Sequence, residues 1–260
     1  MVTDYHDLGW ARFPAEPAVQ DWVTHALPAA QASVRDPAFA PWMDCEGTWF
    51  IGVDALPNDA QGRVGQGPRL DGAAVAFLRD QMGDLPPLHP AQVSTIYPGY
   101  PRARRGESEA ALRYRRNRDA AHVDGLKPQG PNRRRFADEF HAFILGLPLS
   151  PANEHAAPMV VWEGSHHIMR RAFKQAYAGH APEAWPQIDL TDIYSAARRA
   201  AFETCPRRII HAQPGEAYVL HRLALHGVAP WGPQAQAGPD GRMIAYFRPD
   251  MDPAGWLSLP

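Results

Sequence analysis

The chain has 260 residues, enough for one large domain with a sizeable core or for two small ones. It is 45% hydrophobic and 21% charged, with a net charge of −2, which gives no general electrostatic case for binding nucleic acid or membrane. Cys45 and Cys205 are its only cysteines, which excludes a disulfide framework and a CxxC zinc site.

Residues 1–17 carry Asp4, Asp7, Arg12 and Glu16 and lack the apolar core of a secretory signal. No run approaches a membrane span, so a cytoplasmic location is the expectation. The 27 prolines are scattered, not gathered into a linker, and no internal repeat is present. Residues 17–34 have helical spacing (Val19, Trp22, Val23, Ala26, Leu27), with Pro28 expected to break or kink the helix. Residues 47–53 read as a strand rich in β-formers, and the polar, Gly-rich residues 56–68 as a loop. Asp71 is placed to cap a helix carrying Val75, Phe77, Leu78 and Met82, which Gly83 closes. Residues 93–97 form a strand ending in the turn Pro98-Gly99, and from there the β pattern dominates.

Residues 102–118 hold seven arginines. One reading is a solvated loop with a short helix. The other is a lid whose arginines, Arg113 and Arg118 among them, bind an anionic substrate, with Tyr97, Tyr100 and Tyr114 as contacts. Residues 127–135 read as a mobile polar loop, and residues 140–147 and 158–162 as strands, the second ending in Trp162. Gly164-Ser165 turns the chain into a helix on which His166 and His167 must face different ways. Thr191 opens another helix that stops before Pro206. Strands are expected at 208–211, in the run up to His221, and at 241–248.

The chemistry concentrates at His122-Val123-Asp124. Two residues apart on an extended strand, the imidazole and the carboxylate share one face and offer two adjacent ligands to a divalent metal. With 12 histidines in the chain, an H-x-D is expected by accident about once, so the motif needs a third partner. His211, His221 and His226 are all strand-borne and all open for that role. Arg242 and Arg248 share strand parity, and either could pair with the far carboxylate of a metal-chelating keto acid. No HExxH or GxSxG is present.

This set of residues resembles the iron(II)/2-oxoglutarate-dependent oxygenase superfamily, and within it the phytanoyl-CoA dioxygenase-like family. The resemblance runs over about residues 93–248. It rests on His122 and Asp124, on the segment 160–166 with Glu163-Gly164-Ser165-His166 as a variant of a PGSH-like turn, on Gly215 to Gly227, and on Arg242. It implies an α+β fold with a mainly β core: a double-stranded β-helix (jelly-roll, cupin-like) with helices packed outside, in a single domain. Residues 1–92 would be its support and 93–250 its core. It further implies Fe(2+) held by His122, Asp124 and His226, the last chosen because Gly-Val-Ala-Pro follows it. Arg242, at its strand's start, would bind 2-oxoglutarate; dioxygen and a small organic substrate would complete the reaction. His166 would be structural. A carboxylate at Asp124 implies hydroxylation or another halide-free oxidation. Two alternatives stay open: a metal-dependent cupin-type enzyme not using 2-oxoglutarate, and a non-catalytic binding protein on the same scaffold.

Overall fold

In a computed structural model, residues 5–259 are described; residues 1–4, part of the stretch read as lacking a signal, and residue 260 lie outside them. The strand-forming runs become twelve strands: β1 (Trp10–Phe13), β2 (Met43–Asp44), β3 (Trp49–Phe50), β4 (Gln92–Ile96), β5 (Leu126–Gln129), β6 (Arg134–Ala137), β7 (Phe143–Pro148), β8 (Met159–Trp162), β9 (Arg207–Ile210), β10 (Ala217–His221), β11 (His226–Val228) and β12 (Arg242–Phe247). The α-helices are α1 (Tyr5–Leu8), α2 (Pro17–Arg35), α3 (Ala73–Met82), α4 (Glu109–Asn117), α5 (Ser165–Ala176), α6 (Thr191–Thr204) and α7 (Pro253–Trp256).

Seven strands form one antiparallel sheet in the order β1-β10-β7-β12-β4-β3-β2, and three form a second, β11-β8-β9. A bridge from His122 to His226 adds the residue-122 segment beside β11. The chain steps between the sheets: β4 in the large one, residue 122 in the small, β7 in the large, β8 and β9 in the small, β10 in the large, β11 in the small, β12 in the large. This alternation is a double-stranded β-helix.

Every residue of β12 is buried, because the strand has apolar neighbours on both faces. Met243, Ala245 and Phe247 join a core with Val19, Trp22, Val23 and Val75 of α2 and α3, which cover the outside of the large sheet. Ile244 and Tyr246 point the other way and meet Met159, Val161 and Leu220 inside the barrel. Val160 and Trp162 pack outward on Met169, Phe173, Tyr194 and Ala201 of α5 and α6. The covering helices and the two packed sheets thus follow the alternation of apolar residues along each strand.

Four local expectations are corrected. Helix α2 runs through Pro28 without a break. Pro28 and Thr24, whose carbonyl the missing N–H would have bonded, are both on the exposed side, so water can serve that carbonyl while Trp22, Val23, Ala26 and Ala30 stay buried. Asp71 does not cap α3: Gly72 is the N-cap, and the Ala73 N–H donates to Glu16 Oε1 at 2.7 Å, leaving Asp71 to Arg69. The strand at 47–53 shrinks to Trp49–Phe50 because Gly52 turns away at φ +54°, where an added Cβ would lie 2.4 Å from the Val93 carbonyl oxygen. The stretch 127–135 is mostly hairpin, β5 paired with β6, tied down by the Arg134–Asp189 ion pair.

Candidate metal site

The strand expected at H-x-D is not formed: His122 meets β11 through a single bridge and Asp124 already lies in a turn, and the backbone is held there from outside the barrel. The Tyr114 hydroxyl donates to Ala121 O (2.7 Å), and the Val123 N–H donates to the Tyr194 hydroxyl (3.2 Å). Ala121 and Val123 lie buried in the helix-facing core, so His122 and Asp124 must face the barrel. Arg207 grips Asp119 with two hydrogen bonds of 2.7 and 2.9 Å at the segment's start. Gly227 lets β11 come this close: a Cβ there would stand 2.1 Å from Asp119 O. His122 and His226 then exchange backbone hydrogen bonds of 2.8 and 3.0 Å.

Three side chains converge. His122 Nε2 lies 3.1 Å and His226 Nε2 3.7 Å from Asp124 Oδ1, with one ligand atom from each residue within 4.8 Å of the others. Among the described residues no other such cluster of His, Cys, Asp or Glu exists. Each imidazole donates its Nδ1–H to a backbone carbonyl two residues back, His122 to Ala120 O (2.9 Å) and His226 to Ala224 O (2.8 Å). That turns both Nε2 atoms, and not the Nδ1 atoms, toward the common point, the arrangement metal-bound histidines use. His211 is elsewhere, bonded to Ala152 O, and His221 lies against Arg170 and His166. Among the three distal histidines only His226 reaches the pair.

The electrostatics suit a cation. Burial pushes the His226 imidazole down to about 4, so it is neutral and free to coordinate at neutral pH. Burial alone would raise the Asp124 carboxyl, but Arg248, His226 and His122 outweigh it and hold it well below the usual carboxylate range. Burial would likewise lower His122, whose edge is half exposed, but the Asp124 hydrogen bond raises it above its ordinary value.

The site opens on a cavity of about 520 Å³. Trp49, Ser94, Tyr100, Met159 and Tyr246 line it, with Arg104, Lys127 and Arg248 as its cations. Tyr100 alone of the expected aromatic contacts reaches this wall. Tyr97, Arg113, Arg118 and Trp162, expected to contact substrate, do not line it. Tyr97 packs on the outer core, Arg113 pairs with Glu109 on the exposed face of α4, and Arg118 stacks over Phe202. Trp162 faces α6 because β8 turns Val161, not Trp162, inward. The cations that do reach the cavity come from the loop at Arg104, from β5 at Lys127 and from the residue that follows β12, Arg248. Their proximity carries no periodic signal in the sequence, except that Tyr246 and Arg248 share parity with Arg242.

The two candidate anchors separate. Arg248 Nη1 donates to Asp124 Oδ2 at 3.2 Å. Arg242 is 4% exposed and lines a small neighbouring cavity with Ser150, Pro158, Tyr218 and Ile244. Among the described residues it has no ion-pair partner, and its Nη1 has no hydrogen-bond partner. The Tyr218 hydroxyl, on that cavity's wall, donates to the Tyr246 hydroxyl on the metal cavity's wall at 2.8 Å.

No protein-family model matches the chain, and no curated protein matches it. Solved structures do. It is similar to a non-heme alpha-ketoglutarate-dependent carbocyclase, SnoK, from nogalamycin biosynthesis (13% identity, TM-score 0.48, covering 95% of this chain and 82% of that one). It is similar to AviO1 from Streptomyces viridochromogenes Tue57 (14%, 0.47, 100% and 95%) and to EctD from S. alaskensis, solved with 2-oxoglutarate and 5-hydroxyectoine (14%, 0.48, 95% and 74%). These likenesses are distant, and the reading of the site rests on its own atoms.

Proposed function

We propose that the chain is a non-haem iron(II)- and 2-oxoglutarate-dependent dioxygenase that oxidises a small organic substrate. The observation that carries this is the convergence of His122, Asp124 and His226 on the wall of a cavity of about 520 Å³, with both Nδ1 atoms bonded to backbone carbonyls and both Nε2 atoms turned toward Asp124 Oδ1. Two imidazoles and one carboxylate suit a first-row divalent metal and leave part of its surroundings to other ligands. The buried guanidinium of Arg242, without a counter-ion among the described residues, suits a carboxylate. Loaded, the pair would supply oxidation by dioxygen coupled to decarboxylation of the keto acid to succinate.

The chain's own residues have simpler tasks. His122, Asp124 and His226 would hold the metal. Arg242 would orient the keto acid by its far carboxylate. Trp49, Met159 and Tyr246 keep the cavity wall largely apolar and exclude water. Arg104 and Lys127 supply positive charge at the substrate's side, though each already has acidic neighbours, Asp44 for the first and Asp138 and Glu139 for the second.

One observation favours a second reading, a metal-dependent cupin-type enzyme that does not use 2-oxoglutarate: Arg242 lines the neighbouring cavity, not the metal cavity itself. Anaerobic titration of the apo-protein with iron(II) and then 2-oxoglutarate separates the two. A visible charge-transfer band, lost in His122→Ala and weakened in Arg242→Ala, is the expected result. Iron binding without a band would put the second reading first, and absence of iron binding would leave a non-catalytic binding protein.

A further inference from the structure

Asp124 divides its two oxygens between two tasks. Oδ1 faces the Nε2 atoms of His122 and His226 at 3.1 and 3.7 Å, and Oδ2 faces Arg248 Nη1 at 3.2 Å. The side chain is 9% exposed, so water does little to hold Oδ2 in place. The other cations of the cavity are engaged elsewhere: Arg104 with Asp44 and the Trp49 ring, Lys127 with Asp138 and Glu139. Arg242 faces the neighbouring cavity.

Arg248 in turn is held from outside the barrel. Its backbone N–H donates to His89 Nε2 at 3.0 Å. His89 can serve as that acceptor because its Nδ1 lies 2.6 Å from Pro90 O and donates to it, which fixes the tautomer. Asp54 Oδ1 stands 3.3 Å from the same Nδ1, and the His89 ring lies beside Phe247 at 6.5 Å. Phe247 closes β12, so His89 pins the point where the chain leaves the strand and the Arg248 side chain turns to the site.

We infer that Arg248, pinned by His89, is a positioning residue that keeps Asp124 a one-oxygen ligand. This rests on the metal reading proposed above. With Oδ2 held by the guanidinium, the carboxylate presents Oδ1 alone to the ion, and the coordination position that a second oxygen would take stays available. Without Arg248, Oδ2 has no other hydrogen-bond donor among the described residues and is free to turn toward the same ion as Oδ1. Lysine keeps the charge but not the planar fork, so it restores the hold only in part.

The test is cobalt(II) titration of the full chain, read by the visible d–d absorption bands, which report coordination number independently of turnover. Arg248→Met is expected to weaken cobalt(II) binding about 10- to 100-fold, the range that outer partners of metal ligands command, and to reshape the bands toward higher coordination. Arg248→Lys should recover a large part of both effects. His89→Ala should move both in the same direction as Arg248→Met by a smaller amount, while His89→Gln, which keeps an acceptor, should move them less. Far-UV circular dichroism checks folding, and if Arg248→Met does not fold, the Lys and His89 variants carry the same comparison. Wild-type affinity and bands in Arg248→Met, or in both His89→Ala and Arg248→Lys, would overturn the positioning role while leaving the metal site intact. A wild type that takes up no cobalt(II) would overturn the metal reading and this inference with it.

Discussion

At the scale of single residues, the site depends on which histidine completes the pair. His226→Ala should cut iron(II) affinity by more than the roughly 100-fold that outer partners command, whereas His211→Ala should leave it unchanged. Equilibrium titration of the three proteins checks this, and a loss in His211→Ala alone would reverse the choice. Arg242 invites a different prediction because a buried charge without a partner costs stability. Arg242→Met should therefore raise the melting temperature of the apo-protein. It should also weaken 2-oxoglutarate binding about 10- to 100-fold, the worth of a hydrogen bond to a charged group. The H-x-D motif and Arg242 were legible in the sequence as residue types at a spacing. The partner of Asp124 was not, because Arg248 lies 124 positions away and only the packing of the large sheet, where β12 ends, against the small one brings it near.

At the scale of elements, the junction of α5 and β10 is acid-sensitive. Burial lowers the His166 imidazole to about 4 and holds His221 well below the ordinary histidine value, since each is about 1% exposed and Arg170 lies beside them. A histidine depressed in the folded state binds its proton first in the unfolded chain. The stability it contributes is thus complete above pH 6.5 and is lost as the pH falls from there toward 4. For His166 the loss is on the order of 3 kcal/mol. Melting curves between pH 7.5 and 4.5 should show a shallower pH dependence in His166→Gln than in the wild type; equal slopes would refute the assignment. Helix α2 supplies a second case. Trp22 is fully buried, packs near Phe247 and donates Nε1–H to Gly62 O at 2.6 Å. Trp22→Ala should destabilise by about 3–5 kcal/mol in denaturant unfolding. That helix was readable from its spacing. Its passage through Pro28 was not, because packing against the large sheet outweighs one lost hydrogen bond.

At the scale of the molecule, the three residues proposed to hold the metal come from two segments about 100 residues apart, so a bound metal would tie the small sheet together. Metal at 100 times its dissociation constant should stabilise the fold by about 2.7 kcal/mol, read as a rise in melting temperature. His122→Ala should show no such rise. The order of strands around the barrel was accessible only through the resemblance of the H-x-D, distal-histidine and arginine pattern. Alternation alone indicates which residues of β7, β8 and β12 are buried, not which strand lies beside which.

The sequence by itself determined the alternating strands, the amphipathic helices and the residue types that can hold a metal, because these follow from local periodicity and side-chain chemistry. Tertiary structure decided which of three histidines joins His122 and Asp124, which arginine holds the carboxylate, and that Trp162 and Arg118 face away from the cavity. Those outcomes depend on strand pairing between distant segments. No single segment encodes the register that sets His226 opposite His122 and Val161.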